Sequence, residues 1–137
     1  DLHLSLRRQR QMCIRDRRIK GSTGNNVSFN AFLENKYGLY MCCGSNHNTI
    51  FCNIFKDNRE WNVSDAYTNS YDNGTLGNYW DSFHKPDQGA YDNDSDGIVD
   101  QIYRIYGGGN YDSYPLVNPP DIDNKFLFMV NEKLFSN

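Results

Sequence analysis

A chain of 137 residues has room for one domain, or for the end of a larger one. With 38% hydrophobic and 15% aromatic residues, its core is expected to rest on Tyr, Trp and Phe, which bury large areas; no apolar run is long enough to span a membrane. The formal charge of -3 is unevenly placed: residues 1–17 hold five arginines against two aspartates, leaving the remainder at -6, which argues against a nucleic-acid partner.

Residues 1–17 lack the Asn, Gly and aromatic texture of the rest, and they have neither the apolar core nor the cleavage site of a signal peptide. Met12-Cys13-Ile14-Arg15-Asp16-Arg17 resembles a translated sequencing adapter, so this arm is expected to be non-native or disordered, with native sequence from about Arg18.

From Gly24 a repeat begins. Asn26-Val27-Ser28-Phe29-Asn30-Ala31-Phe32-Leu33-Glu34-Asn35 aligns with Thr49-Ile50-Phe51-Cys52-Asn53-Ile54-Phe55-Lys56-Asp57-Asn58 at an offset of 23. Asn, Asp, Gly and Ser are too dense for paired amphipathic helices, so short strands with polar turns are expected, one coil of a solenoid per repeat. Val27 should stack on Ile50 and Phe32 on Phe55. Asn30 and Asn53, like Asn35 and Asn58, should form amide ladders, with the Asn itself in the left-handed conformation that a turn requires. Tyr37–Met41 reads as a further strand of the first coil, and its counterpart near Trp61-Asn62-Val63 reads as weaker. Two or three coils bury their faces only against neighbours, which predicts an open N-terminal end and a longer parent protein.

The paired coils, followed by Asn73-Gly74-Thr75-x-Gly77-Asn78-Tyr79-Trp80, resemble the NosD-like right-handed β-helix proteins. Asp96-Gly97-Ile98-Val99-Asp100, Gly107-Gly108 and Asp112-x-Tyr114-Pro115-Leu116 resemble that group's C-terminal signature, with Val99 where the group usually has Gly. The resemblance implies an all-β fold: the last two to three coils of a right-handed parallel β-helix (18–76), an irregular acidic and aromatic cap (77–119) and a tail (120–137). It also implies a carbohydrate-related or copper-related role and a location that is extracellular, at the cell surface or periplasmic.

The acidic stretch carries the clearest chemistry. Asp92, Asp94 and Asp96 alternate, Gly97 permits a sharp turn, Ile98 offers a carbonyl and Asp100 a further carboxylate, the oxygen-rich pattern of a calcium loop. Position twelve is Tyr103 rather than Glu, so a ligand is expected from Asp87, Asp112 or water. Met41, Cys42, His47 and Cys52 form a softer set suited to copper or zinc. Adjacent Cys42 and Cys43 should point to opposite strand faces, and a disulfide or plain packing are the competing readings. Glu34, Asp57, Glu60 and Asp65 are scattered, which predicts no catalytic constellation here. Tyr79, Trp80, Tyr91 and Tyr111 are candidate stacking platforms for a glycan or surface polymer, or else form the cap's own core. Asn26, Asn62, Asn73 and Asn93 stand in glycosylation sequons. The combined expectation is a calcium-stabilised, non-catalytic binding module; the alternatives are a copper-handling accessory protein and the tail of a polysaccharide lyase or hydrolase.

Overall fold

Turn-forming residues recur too often in this chain for a helix to propagate, and the apolar runs between them are strand-length. In the computed structural model, which describes residues 17–122, the elements are β1 (Arg17–Lys20), β2 (Asn26–Ser28), β3 (Ala31–Leu33), β4 (Tyr37–Cys42), β5 (Thr49–Phe51), β6 (Ile54–Lys56), β7 (Trp61–Asp65), β8 (Tyr79–Trp80), β9 (Tyr103–Arg104) and β10 (Tyr111–Asp112). One 3-10 turn spans Pro86–Gln88. The fold is all-β, and no α-helix occurs among the described residues. The expectations for the arm upstream of Arg17 and for the tail beyond Ile122 fall outside these residues.

Successive repeats lie side by side in parallel. β1, β4 and β7 form one sheet, β2 and β5 a second, and β3, β6 and β8 a third, while β9 and β10 pair antiparallel. The register is the one the repeat predicts: Val27 opposite Ile50, and Phe32 opposite Phe55. β7 is not a degraded strand. It pairs with β4 from Tyr37 opposite Trp61 to Met41 opposite Asp65, one residue being added in the preceding turn. β1 is an element the repeat did not announce; it places Ile19 beside Met41 in the core.

The corners differ from the expected geometry by one residue. Phe29, Glu34, His47, Cys52 and Asp57 adopt the left-handed conformation, with φ between 56° and 61°, and each immediately precedes a ladder asparagine. The reversal at this residue turns the following Asn inward, where Asn30, Asn35, Asn48 and Asn53 are buried. The strain sits on the corner residue, and the amide network compensates it.

Three ladders run along the stack. Asn30 donates its backbone N–H to Asn53 Oδ1 (3.0 Å), and Asn53 donates its own to Asn78 Oδ1 (3.1 Å). Asn25, Asn48 and Asn69 repeat this at a second corner, where Asn69 donates to Asn110 Oδ1 at 3.1 Å. At the third, Asn35 donates to Asn58 Oδ1, Asn58 Nδ2 to Asn62 Oδ1, and Asn62 Nδ2 to Asp81 Oδ1. Most of these amides bond backbone and neighbour together, satisfying polar groups that burial would otherwise penalise, whereas the buried Asn35 amide at the head of its ladder has neither polar atom partnered.

Inside, aromatic rings stack on the same period. Phe32 lies on Phe55 (centroids 4.9 Å apart, planes 7°), Phe55 on Trp80 (4.6 Å, 8°) and Trp80 on Tyr103 (4.3 Å, 24°). Val27, Leu39, Met41, Ile50, Val63 and Ile105 fill the space around this column. The cap thus continues the core instead of merely covering it.

Candidate cation loop and aromatic cleft

The carboxylates closing the stack divide into two kinds. Asp112 is fully buried, and its Oδ2 accepts the backbone N–H of Asn78 (2.8 Å) and the indole N–H of Trp80 (2.9 Å), while Oδ1 accepts from Tyr114. A ladder in which every member accepts from one side and donates to the other needs a final member that only accepts, and a carboxylate meets that need. Gly77 has to be glycine, because a Cβ there would overlap the Asp112 carboxylate. Burial pushes the Asp112 carboxyl up to about 7 against the opposing pull of these N–H bonds. Asp65 is buried likewise, accepting from Asn69 Nδ2 (2.9 Å), the Tyr71 hydroxyl (2.7 Å) and the Tyr67 N–H (2.8 Å). Asp112 is therefore committed to the core and is no loop ligand, which corrects its place among the groups expected to complete the cation site, alongside Asp87 and water. Asp87 lies exposed in the 3-10 turn.

The acidic loop gathers Asp92, Asp94 and Asp100, with one carboxylate oxygen of each lying within 4.8 Å of the others. Asp96 stands outside this group, its Oδ1 accepting the N–H of Ile98 at 2.9 Å, a local turn that uses the carboxylate on its own backbone. Asp92 accepts from Asp96 and Gly97, and Asp100 from Asn93. Desolvation works against ionisation of Asp92, yet the Gly97 N–H, the neighbouring Asp94 and the Asp96 N–H hold its carboxyl below the usual range. Asp94 is raised by its hydrogen bond to Asp92 and by the charges of Asp96 and Asp100. The loop is docked by Val99 N–H to Pro115 O (2.7 Å) and Val117 N–H to Gly97 O (3.0 Å), which flank the contact of Ile98 with Leu116.

The soft ligands are not brought together. Met41 is buried in the hydrophobic core. Cys42 and Cys43 are joined to each other by a disulfide, and Cys43 has left the strand at φ 64°. This turn corrects the expectation of opposite faces, which presumed that the strand continued. Cys52 is a buried corner residue whose thiol is raised by burial and by the Asp112 charge. His47 is an exposed residue at a different corner. Among the described residues, the group of three acidic, His or Cys side chains close enough to hold an ion is the aspartate one.

The proposed stacking platforms separate in the same way. Trp80 is fully buried between Phe55 and Tyr103, and Tyr79 is also buried, so neither presents a ring to a glycan. That is a correction: Trp80 is a ring of the stacked core column, and Tyr79 is buried with its ring against His84. Tyr91 and Tyr111 are exposed. Asn62 is buried and bonded, whereas Asn26, Asn73 and Asn93 are exposed.

A second aromatic column escaped the sequence reading. Tyr37 stacks on Trp61 (4.4 Å) and Trp61 on Tyr106 (4.9 Å). Tyr106 is carried there by pairing with Ser64. Beside it opens a cleft of about 590 Å³ lined by Glu60, Trp61, Asn62, Asp81, Tyr103, Arg104 and Tyr106, among others. A signal existed in the aromatic spacing of Tyr37 and Trp61, but Tyr106 is too distant in sequence to be joined to them without the fold.

Residues 17–85 match the family described as Periplasmic copper-binding protein (NosD). The match covers β1 to β8 and stops before the acidic loop. Neither the curated proteins nor the solved structures compared with this chain give a match.

Proposed function

The chain belongs to the NosD family of periplasmic copper-binding proteins, and on that premise we propose that it is a non-catalytic binding module of an exported right-handed parallel β-helix, its cap fastened by a hard divalent cation. The family's periplasmic character agrees with the extracytoplasmic location expected from sequence, and no helix among the described residues is long and apolar enough to cross a membrane. Three parallel sheets, each gaining a strand from each repeat, support the β-helix reading.

The observation that carries the cation reading is the convergence of Asp92, Asp94 and Asp100. Three like charges held this closely repel, and the Asp94 carboxyl is raised first by its hydrogen bond to Asp92, then by desolvation and by the charges of Asp96 and Asp100. Calcium suits such oxygen ligands and tolerates irregular loop geometry. Calorimetric titration with calcium should give one site on the parent chain and none on Asp94→Ala; equal heats for both would sink the reading.

Copper does not fit the same residues, because the loop offers only hard oxygens. The softer donors fit no better, with Met41 in the core, Cys52 buried and Cys42 bound to Cys43. The family description nevertheless supports copper handling as a second reading for the whole protein. A copper pulldown lost on replacing Met41, Cys42 and His47 would favour it.

A further inference from the structure

We propose that the cleft beside Trp61 and Tyr106 binds a neutral oligosaccharide segment, with Tyr106 as the stacking platform and Glu60 and Arg104 as hydroxyl partners. The inference rests on the binding-module reading and names its ligand class.

The column Tyr37–Trp61–Tyr106 has one free end. Lys36 Nζ lies 5.1 Å from the Tyr37 ring centre, and both faces of Trp61 are covered by tyrosines. Tyr106 is covered by Trp61 on one face but is still 61% exposed, so its other face is open to solvent. An open ring backed by a rigid stack is prepared to receive a flat apolar surface at small entropic cost.

Polar groups with unused capacity surround that ring. Glu60 and Arg104 are exposed on the lining and take part in none of the described side-chain hydrogen bonds. Asp81, by contrast, is used on both oxygens, by Asn62 and by the Asp57 N–H. A pyranose ring presents an apolar C–H face together with hydroxyls that donate and accept, matching an open ring beside a carboxylate and a guanidinium. Two carboxylates against one guanidinium in the lining disfavour an acidic polymer.

Fluorescence titration of the full chain with cellohexaose and with maltohexaose tests this, since Trp61 lies in the cleft and Trp80 in the core. The expected result is a saturable change with at least one sugar. Tyr106→Ala should weaken it about tenfold or more, Tyr106→Phe should bind within about twofold of the parent, and Glu60→Gln should weaken it several-fold. Tyr91→Ala should match the parent. No saturable change with either sugar on a cooperatively melting chain would overturn the proposal. Parental affinity in both Tyr106→Ala and Glu60→Gln would do the same. Calcium heats are read separately, so loss of the cation site with sugar binding intact contradicts only the cap reading, and the reverse contradicts only the cleft.

Discussion

The Trp80 indole N–H donates to Asp112 Oδ2 at 2.9 Å, and both residues are completely buried. This bond joins the two systems that run the length of the stack. Trp80 is the third ring of the core column, and Asp112 is the acceptor on which the Asn30–Asn53–Asn78 ladder ends.

Asp112→Ala should therefore be among the most damaging single changes in the cap. It leaves the Asn78 and Trp80 N–H groups buried without acceptors, at a cost of about 3 kcal/mol or more for the pair. Asp112→Asn keeps an acceptor but sets an amide N–H against one of the incoming donors, so a smaller loss is expected. Urea unfolding of both variants measures the order.

Asp112 also sets a pH dependence. Its carboxyl is near 7 in the folded chain, against 3.8 as the unperturbed value, so the folded state holds more protons in that interval. Stability from this group is fully present below about pH 4, declines as pH rises to about 7 and is level above it. Unfolding free energies measured across that range should fall with pH in the parent, and the slope should shrink in Asp112→Asn.

Asn53→Ala tests the ladder itself. The side chain of Asn53 donates to Val27 O, Phe51 O and Asn78 Oδ1 and accepts from the Asn30 N–H. Removing it strands several buried groups, with an expected loss of about 2–4 kcal/mol. An exposed asparagine such as Asn73 closes only a local turn, so Asn73→Ala should cost well under half as much. Equal losses in chemical denaturation would contradict the ladder's weight.

The inner column predicts a cavity effect. Phe55 is sandwiched between Phe32 and Trp80, so Phe55→Ala should cost about 3–5 kcal/mol, while Phe55→Leu should recover part of it. Melting of the two variants provides the check.

Much of the interior was legible because one offset governs it. Val27 with Ile50 and Phe32 with Phe55 follow directly from a period of 23, and the same period marked two of the three ladders. The left-handed corner residue was misplaced because propensity favours Asn there, whereas the fold needs the Asn turned inward and assigns the strain to Phe29, Cys52 or Asp57. That assignment also explains two of the soft-metal candidates, since His47 and Cys52 occupy corner positions. β1 was hidden by its arginines, and Asp112 by its carboxylate, which reads as a surface or cation-binding group until the ladder reaches it. In the loop, alternation suggested that Asp96 would join Asp92 and Asp94; its side chain stays within hydrogen-bond reach of Asp92 while closing a turn on Ile98, but it lies outside the group of three that includes Asp100. The Tyr106 cleft depends on a pairing with Ser64 that no local pattern announces.

The central claim, that a cation fastens the cap to the stack, is tested most directly by thermal melting of the full chain in about 10 mM calcium and in excess chelator. For a site of sub-millimolar affinity, the account predicts a melting temperature higher by about 5 °C or more with calcium, and no difference in Asp94→Ala. Identical melting of the parent chain under both conditions would contradict it.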